Sequence, residues 1–594
     1  VSQETVSEMA GLPVYQTVTD IAEPIDLALI VNKGQYVLRA VRECITKEIK
    51  AAVITAPDFY ELGDYGQELR QQILKEARAA GLRLIGPSSQ GVMNPKLGLN
   101  ATLMKSLPVS GTVGFISQSG AFGAAVLDRS LRENVGFSAF VSTGTMLDVD
   151  WGDLIYYLGN DYRTKSIIIY MEAIGNARSF LSAAREVALT KPIIVLKMGR
   201  TEAAAQFATQ HAGTSTGHDE VLNAAFRRIG VLRVTRMADL FYMAETFSKQ
   251  PRPRGAQLTI VTNAWGPGTL AADSLIAGGG QLTKLNNKTI ERLNEILPQH
   301  WNRDNPLDIL GNATAESYAK TIEILADEKQ GDGLLVILTP QTETDPVRTA
   351  QAVIEASKKW RKPLLASWMG GQHIVEADEI LNAANIPTFA FPDTAARTFN
   401  YMWRYNRNVR SLYETPQLPD DTENDLAAHQ YATEVIEGIR QEGRTVLTEY
   451  EAKVILAAYN IPVLDTRLAT TADEAAATAE QIGYPVVLKL HSHTVARKTD
   501  VGGVHLNLLN AAEVRQAFAA VQANVTAAQF DGVTIQPMLN LREGFELLIG
   551  SYPDPQFGPI LRFGTGGLMA DVFDDITHGL PPLTSTLARR MMER

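Results

Sequence analysis

The chain has 594 residues, is 45% hydrophobic and 20% charged, and carries a formal net charge of -11, which at about 150 residues per domain leaves room for about four soluble domains. The acidic balance excludes nucleic acid or an anionic membrane as the main partner, but not phosphorylated ligands, which helix N-termini and single lysines bind on acidic proteins. No apolar run reaches 18 residues and no signal peptide is visible, so no membrane association is expected, and the single cysteine, Cys44, excludes an internal disulfide or Cys-rich metal site and suits a reducing cytoplasm.

Apolar spacing predicts a strand over 25–31, a helix over 36–48, a strand over 51–55, a helix over 65–80 and a strand over 82–86. Short apolar runs separated by amphipathic helices read as a doubly wound α/β domain with a parallel sheet. Cys44 falls within the first helix and reads as a structural thiol. The alternation restarts at 111–117, after Leu107-Pro108, and again at 257–262, after Pro251-Arg-Pro-Arg-Gly255. A polar, Pro-bearing stretch over 414–424 marks a third boundary, and Thr448 with Glu451 forms the capping-box offset of a new helix. The expected domains are 1–107, 108–250, 256–413, a linker over 414–440, and 441–594.

Four stretches carry chemistry. Gly114-Phe-Ile-Ser-Gln-Ser-Gly-Ala-Phe-Gly123 runs from a strand into a Ser/Gly turn and a helix. Backbone N–H groups at that helix start can face an anion, with Ser117 and Ser119 as hydroxyl donors; a tight turn without ligand is the alternative. After the strand over 193–197, His211 stands in a Gly/Thr-rich loop. A neutral imidazole there is a competent nucleophile toward a phosphoryl group once its other nitrogen has a partner, for which Glu172 at the end of the 166–171 strand is a candidate. A solvated surface histidine is the alternative. Lys489 on a strand, then Arg497-Lys-Thr-Asp-Val-Gly-Gly503, supplies the point charge and close backbone approach that a triphosphate needs, or else is a strand-end lysine and an ordinary turn. Finally, Asp571, Asp574 and Asp575 follow a Gly-rich run. Closely spaced carboxylates beside a phosphate site are candidate Mg²⁺ ligands, although Asp574 reads better as part of a solvated acidic loop.

In order and wording these pieces resemble the acetate–CoA ligase (ADP-forming) family, the NDP-forming acyl-CoA synthetases related to succinyl-CoA synthetase. The resemblance covers nearly the whole chain. It implies an α/β architecture: a Rossmann-like CoA-binding domain, two flavodoxin-like ligase domains and an ATP-grasp domain, incomplete at both chain ends. Gly86-Pro-Ser-Ser-Gln-Gly91 is similar to the end of the family's CoA domain, and Gly114–Gly123 to its phosphate loop, implying phosphate contact by Ser117, Gln118, Ser119 and Gly120. The 197–217 segment is similar to the one that carries the phosphorylated histidine, placing that role on His211 with Glu172 as its orienting partner. The 447–503, 536–538 and 554–559 stretches resemble the ATP-grasp domain. They imply nucleotide or phosphate contact by Lys489, Lys498, Gly502, Gly503, Gln536, Met538 and Glu546, with Asp571 and Asp575 as metal ligands. The ligands implied are CoA or acetyl-CoA, ATP or ADP, Mg²⁺ and a short-chain acid, and the assembly implied is a homo-oligomer.

The chain also departs from the family. The Gly-Ala-Ser-x-x-x-Gly loop that should open the CoA domain is absent, so weak CoA binding is expected. Ser88-Ser89 replaces Asn-Cys, Gly579 replaces a frequent arginine, and Arg497 replaces a second histidine thought to relay phosphate. These changes count against a two-histidine relay and leave direct transfer through His211. Stretches at 391–402, 414–419, 580–583 and 587–589 are similar to large bacterial protein lysine acetyltransferases, in which a ligase-like region senses acetyl-CoA and a GNAT domain follows. The alternative expectation is therefore a regulatory acetyl-CoA-binding region whose partner domain modifies protein lysines. A dehydrogenase is disfavoured because no Gly-x-Gly-x-x-Gly opens the first strand–helix unit.

Overall fold

The computed structural model describes the chain except at residues 2–7, 57–62, 133–134, 213–216, 328, 416–422, 541–543, 568–569, 574 and 594; at 132, 208–212, 423–425 and 571 only the backbone is described. The chain divides into two units, one comprising 1–415, 549–564 and 575–594, the other 416–548 and 565–574.

The first unit begins with three parallel strands, Leu27–Ile30, Ala51–Ile54 and Arg83–Ile85, joined by the helices Gly34–Thr46 and Gly63–Ala79. Val37, Val41 and Cys44 recur at helical spacing and are at most 1% exposed, so the first helix lays a continuous apolar stripe on the core. Burial pushes the Cys44 thiol up to about 11, which keeps it protonated and inert.

The next sheet has seven strands, in the order Leu232–Val234, Ile193–Lys197, Ser166–Met171, Ser110–Ser117, Phe137–Ser142, Gly91–Asn94, Leu99–Thr102. Its first five are parallel and follow the flavodoxin-like order 2-1-3-4-5. Strands Phe137–Ser142, Ser166–Met171 and Ile193–Lys197 are buried at every position, as parallel strands covered on both faces must be. The last two strands form an antiparallel hairpin. The expected boundary at 107/108 therefore falls after this sheet has already begun. Gly91 makes that possible: it has φ +110°, and a Cβ there would lie 2.0 Å from the Ala101 carbonyl oxygen.

A second parallel sheet holds Gln257–Thr262, Gly333–Leu338 and Leu364–Trp368, with the two-residue strands Gln281–Leu282 and Leu307–Asp308 along one edge. One core joins both sheets: Phe115 and Tyr170 from the first, Ile260 and Leu335 from the second, Leu240 and Phe399 from helices Met237–Lys249 and Pro392–Ser411. The latter helix buries 12 of its 20 residues, while Arg404, Arg407 and Arg410 stay exposed on its polar side. Asp239, 1% exposed, is held there by Arg397 Nε and Tyr401 Oη, each donating at 3.2 Å, the pairing a buried charge requires.

Strands Leu547–Asp554, Gly558–Thr565 and Ile576–Gly579 form a three-stranded sheet. Its Ile560, with Leu580, packs on Val221, Ala224 and Ala225 of helix Asp219–Arg228. This apolar contact draws 549–564 and 575–594 into the first unit, so the stretch expected as one continuous domain, 441–594, is shared between the two units.

The second unit is built on an antiparallel sheet ordered Arg467–Ala469, Gly532–Pro537, Val486–His491, Val504–Leu508. Helices Ala472–Ile482 and Ala511–Ala523 pack Ala475, Ala479, Val514 and Phe518 against Leu488, Val533 and Ile535. The expected linker 414–440 is instead largely a helix, Glu423–Gln441, whose buried Ala428, Ala432 and Ile439 share one face. Helix Glu449–Ala458 starts at the expected cap: Glu451 N donates to Thr448 Oγ1 at 3.3 Å, and Thr448 N donates to Glu451 Oε2 at 2.7 Å.

Candidate active site

In a 2-1-3-4-5 sheet the ligand crevice lies at the carboxyl ends of the first and third strands, where the connections diverge. Here those strands are Ser110–Ser117 and Ser166–Met171, and Gln118 and Glu172 follow them. The two ends are tied together, because Gln118 Oε1 accepts from Glu172 N at 2.6 Å and from Ala173 N at 2.9 Å. Gln118 is thus the brace that places Glu172, a role its expected phosphate contact did not include.

Ser117 departs from expectation. It is 0% exposed and its hydroxyl donates to Ser119 O at 2.8 Å, so it closes the turn instead of facing an anion. Ser119 Oγ accepts from Phe122 N at 3.3 Å and caps helix Gly120–Arg132. The positive end of that helix dipole, with the amides of its first turn, has the chemistry to face an anion at the crevice. The backbone of His211 lies in the last turn of helix Glu202–Ala212, not in the expected loop. The Ala-rich sequence of this segment favours helix strongly enough to carry the histidine into it. The His211 side chain, and with it the expected contact with Glu172, lies outside the described residues.

Sequence reasoning missed Lys197. It ends the Ile193–Lys197 strand, pairs in register with Met171, is 2% exposed, and donates to Met198 O. Burial pushes its ammonium down to about 8; Asp219 and Glu172 pull the other way, and Arg233 adds to the lowering. Below pH 8 the folded protein carries the full cost of a buried charge; as pH rises from 8 toward the ordinary 10.5, the folded state sheds a proton that the unfolded state keeps, so stability rises. Lys197→Met should therefore stabilise the protein at pH 7 by about 2 kcal/mol, and the gain should fade by pH 10.5. Chemical denaturation across that range checks this; a variant less stable at pH 7 would show the ammonium to be favourably paired.

In the second unit, Lys489 Nζ and Lys498 Nζ converge on Glu449, donating to Oε1 at 2.8 Å and to Oε2 at 2.9 Å. Lys453 Nζ donates to the same Oε1 at 2.9 Å, and also to Thr466 Oγ1 at 2.9 Å and Gln536 Oε1 at 2.8 Å. Partial burial opposes the charge on Glu449, but hydrogen bonds from Lys489, Lys498 and Lys453 outweigh it and hold the carboxyl well below the usual carboxylate range. Gln536, 6% exposed, thus has its carboxamide oxygen engaged by Lys453, and Met538 N donates to Pro485 O at 2.9 Å. The Lys498–Val501 turn ends at Gly502, in the left-handed region with φ +65°, and Gly503 N donates to Lys498 O at 2.7 Å. Glu546 is exposed, and its Oε2 lies 2.3 Å from the point a Cβ on Gly567 would occupy, so a side chain at 567 would displace that carboxylate.

Asp575 is exposed, and the Asp571 side chain lies outside the described residues. Among the described residues no group of three or more His, Cys, Asp or Glu forms a metal cage. The exposed Asp575 carboxylate nonetheless fits Mg²⁺, which takes one or two carboxylates and completes its shell with water and substrate phosphates. Neither Glu449 nor Lys453 was expected at the site. The signal was present, as an acid and a lysine four residues apart at a capped helix start.

Four domain-family models match in order: a CoA binding domain over 2–95, a succinyl-CoA ligase like flavodoxin domain over 110–247, a Ligase-CoA domain over 258–411 and an ATP-grasp domain over 438–594. With this site and order of domains, the chain belongs to the family of ADP-forming acyl-CoA ligases. It is 36% identical to acetate–CoA ligase [ADP-forming] I of Archaeoglobus fulgidus over 98% of this chain and 84% of that protein. It is 33% identical to the 4-hydroxybutyrate–CoA ligase [ADP-forming] of Nitrosopumilus maritimus, over 97% and 83%. Among solved structures, the dinucleotide-forming acetyl-coenzyme A synthetase 1 of Ca. Korarchaeum cryptofilum, in complex with phosphate and ADP, is similar with a TM-score of 0.64 and 32% identity, over 69% of this chain and 88% of that one. These likenesses favour the ligase over the acetyltransferase-linked expectation. No described helix is long and apolar enough to cross a membrane.

Proposed function

We propose that the protein is an acid–thiol ligase that interconverts a short-chain acid, CoA and ATP with acyl-CoA, ADP and phosphate through a phosphohistidine at His211. The observation that carries this reading is the Gln118 brace, which ties Glu172 to the turn that opens helix Gly120–Arg132 at the crevice of the flavodoxin-like sheet. In the acyl-CoA-consuming direction, phosphate attacks the thioester carbonyl, the C–S bond breaks, and CoA leaves as the acyl phosphate forms. The imidazole of His211 then takes the phosphoryl group and the carboxylate departs. The phosphohistidine passes that group to the terminal oxygen of ADP, with Lys489 and Lys498 drawing charge from the phosphates. Mg²⁺, for which Asp571 and Asp575 are the candidate carboxylates, would neutralise phosphate charge during that transfer. Glu172 orients the imidazole, and the helix dipole stabilises the phosphorylated form. We place the enzyme in the cytoplasm as a homo-oligomer, which light scattering on the purified protein can measure.

The test is a product balance. Full-length protein with MgATP, CoA and acetate, propionate or 4-hydroxybutyrate in turn should form acyl-CoA, ADP and phosphate in equal amounts, and omission of either acid or CoA should stop turnover, leaving only the single equivalent of ADP released as His211 is phosphorylated. Formation of AMP and pyrophosphate, or sustained turnover of ATP without acyl-CoA, would overturn the reading.

A further inference from the structure

Glu449 has no part in the transfer as described, yet three ammonium groups converge on it. Lys453 arrives from one turn further along the same helix, Lys489 from the Val486–His491 strand, and Lys498 from the Lys498–Val501 turn. Their commitments differ. An ammonium has three N–H donors, and Lys453 spends all three, on Glu449, Thr466 Oγ1 and Gln536 Oε1. It anchors the acid. Lys489 and Lys498 each give Glu449 one donor, leaving two per lysine for another anion.

Apolar packing holds this arrangement only in part, because helix Glu449–Ala458 has partly buried residues but none fully buried. The polar network supplies the register between helix and sheet. Without the central carboxylate, three like charges would repel, and the side chains of Lys489 and Lys498 would regain rotamer freedom that a phosphate ligand must then remove. With it, the cluster of three ammoniums and one carboxylate keeps an excess positive charge for a polyphosphate.

We infer that Glu449 is a positioning residue of the nucleotide subsite, holding Lys489 and Lys498 together before the polyphosphate arrives and sharing their donors with it afterwards. The inference rests on the nucleotide reading of those two lysines. Glu449 itself does not meet the phosphates, which it would repel.

The experiment measures ADP affinity by calorimetry, and KM for ATP, CoA and acid, in full-length wild type, Glu449→Gln and Glu449→Asp. Glutamine keeps the shape and loses the charge. Its Kd for ADP and KM for ATP should rise about tenfold, while KM for CoA and acid stay put. Aspartate, keeping the charge on a shorter arm, should recover part of the loss. A purely structural role would instead move all three KM values or only the melting temperature. If wild type binds no ADP, the nucleotide reading fails. If wild type binds and Glu449→Gln binds as tightly or more tightly, the positioning role fails. Should Glu449→Gln not fold, unchanged ADP affinity in Glu449→Asp would overturn the inference, and a several-fold loss confined to nucleotide would support it.

Discussion

Replacement of His211 by asparagine is expected to lower acyl-CoA formation by at least about 10⁴-fold and to abolish phosphoenzyme. Asparagine is close in size and polar, but it has no nitrogen lone pair able to take a phosphoryl group. The loss should therefore be chemical, with folding unaffected. Wild type incubated with γ-labelled ATP should hold acid-labile, base-stable phosphate, discharged by acid and CoA together. The variant should hold none at the same melting temperature. Turnover within tenfold of wild type would remove His211 from the mechanism.

Lys489→Met should divide the reaction into its two halves. Methionine preserves length and apolar stem but removes a cation that is three-quarters screened from solvent, with a side-chain exposure of 23%. The kcat/KM for ATP should fall about 10²- to 10³-fold, the scale of a lost electrostatic clamp on a phosphoryl group. Glu449 would then retain Lys453 and Lys498 alone. Phosphorylation of His211 from acyl-CoA and inorganic phosphate does not use the nucleotide and should proceed at the wild-type rate. Rapid quench with labelled phosphate separates the two. A variant defective in both halves would show that Lys489 supports the fold or a step common to both.

Much of the architecture was legible from local pattern. Short apolar runs such as Ile193-Ile-Val-Leu196 between helical patterns read as strands covered on both faces, and Thr448 with Glu451 announces a helix start from four residues. Contacts between distant residues left no such trace. Gln118 and Glu172 are 54 positions apart, and nothing local says that a glutamine in a Ser/Gly turn will brace a backbone amide there. Ser117 looked like a donor because Ser-Gly turns often bind anions, but it is the last residue of a buried strand and has no outward direction available. The Gly91–Asn94 hairpin was missed because strands join sheets by hydrogen bonding, which composition does not record. Glu449 was overlooked because its three partners come from elements up to 49 residues away.

The divided path of the chain has a bearing on genetic dissection. The polypeptide leaves the first unit after Thr415, returns at Ile549, leaves again after Gly564 and returns at Asp575. Four covalent crossings of this kind mean that no single cut frees either unit intact. A gene shortened after codon 415 would strip Ile560 and Leu580 from Val221 and Ala225 and leave an oily patch on the remaining half. Complementation between two separately expressed halves would then depend on the second half supplying that patch's cover, so the two should be recovered together or be poorly soluble apart.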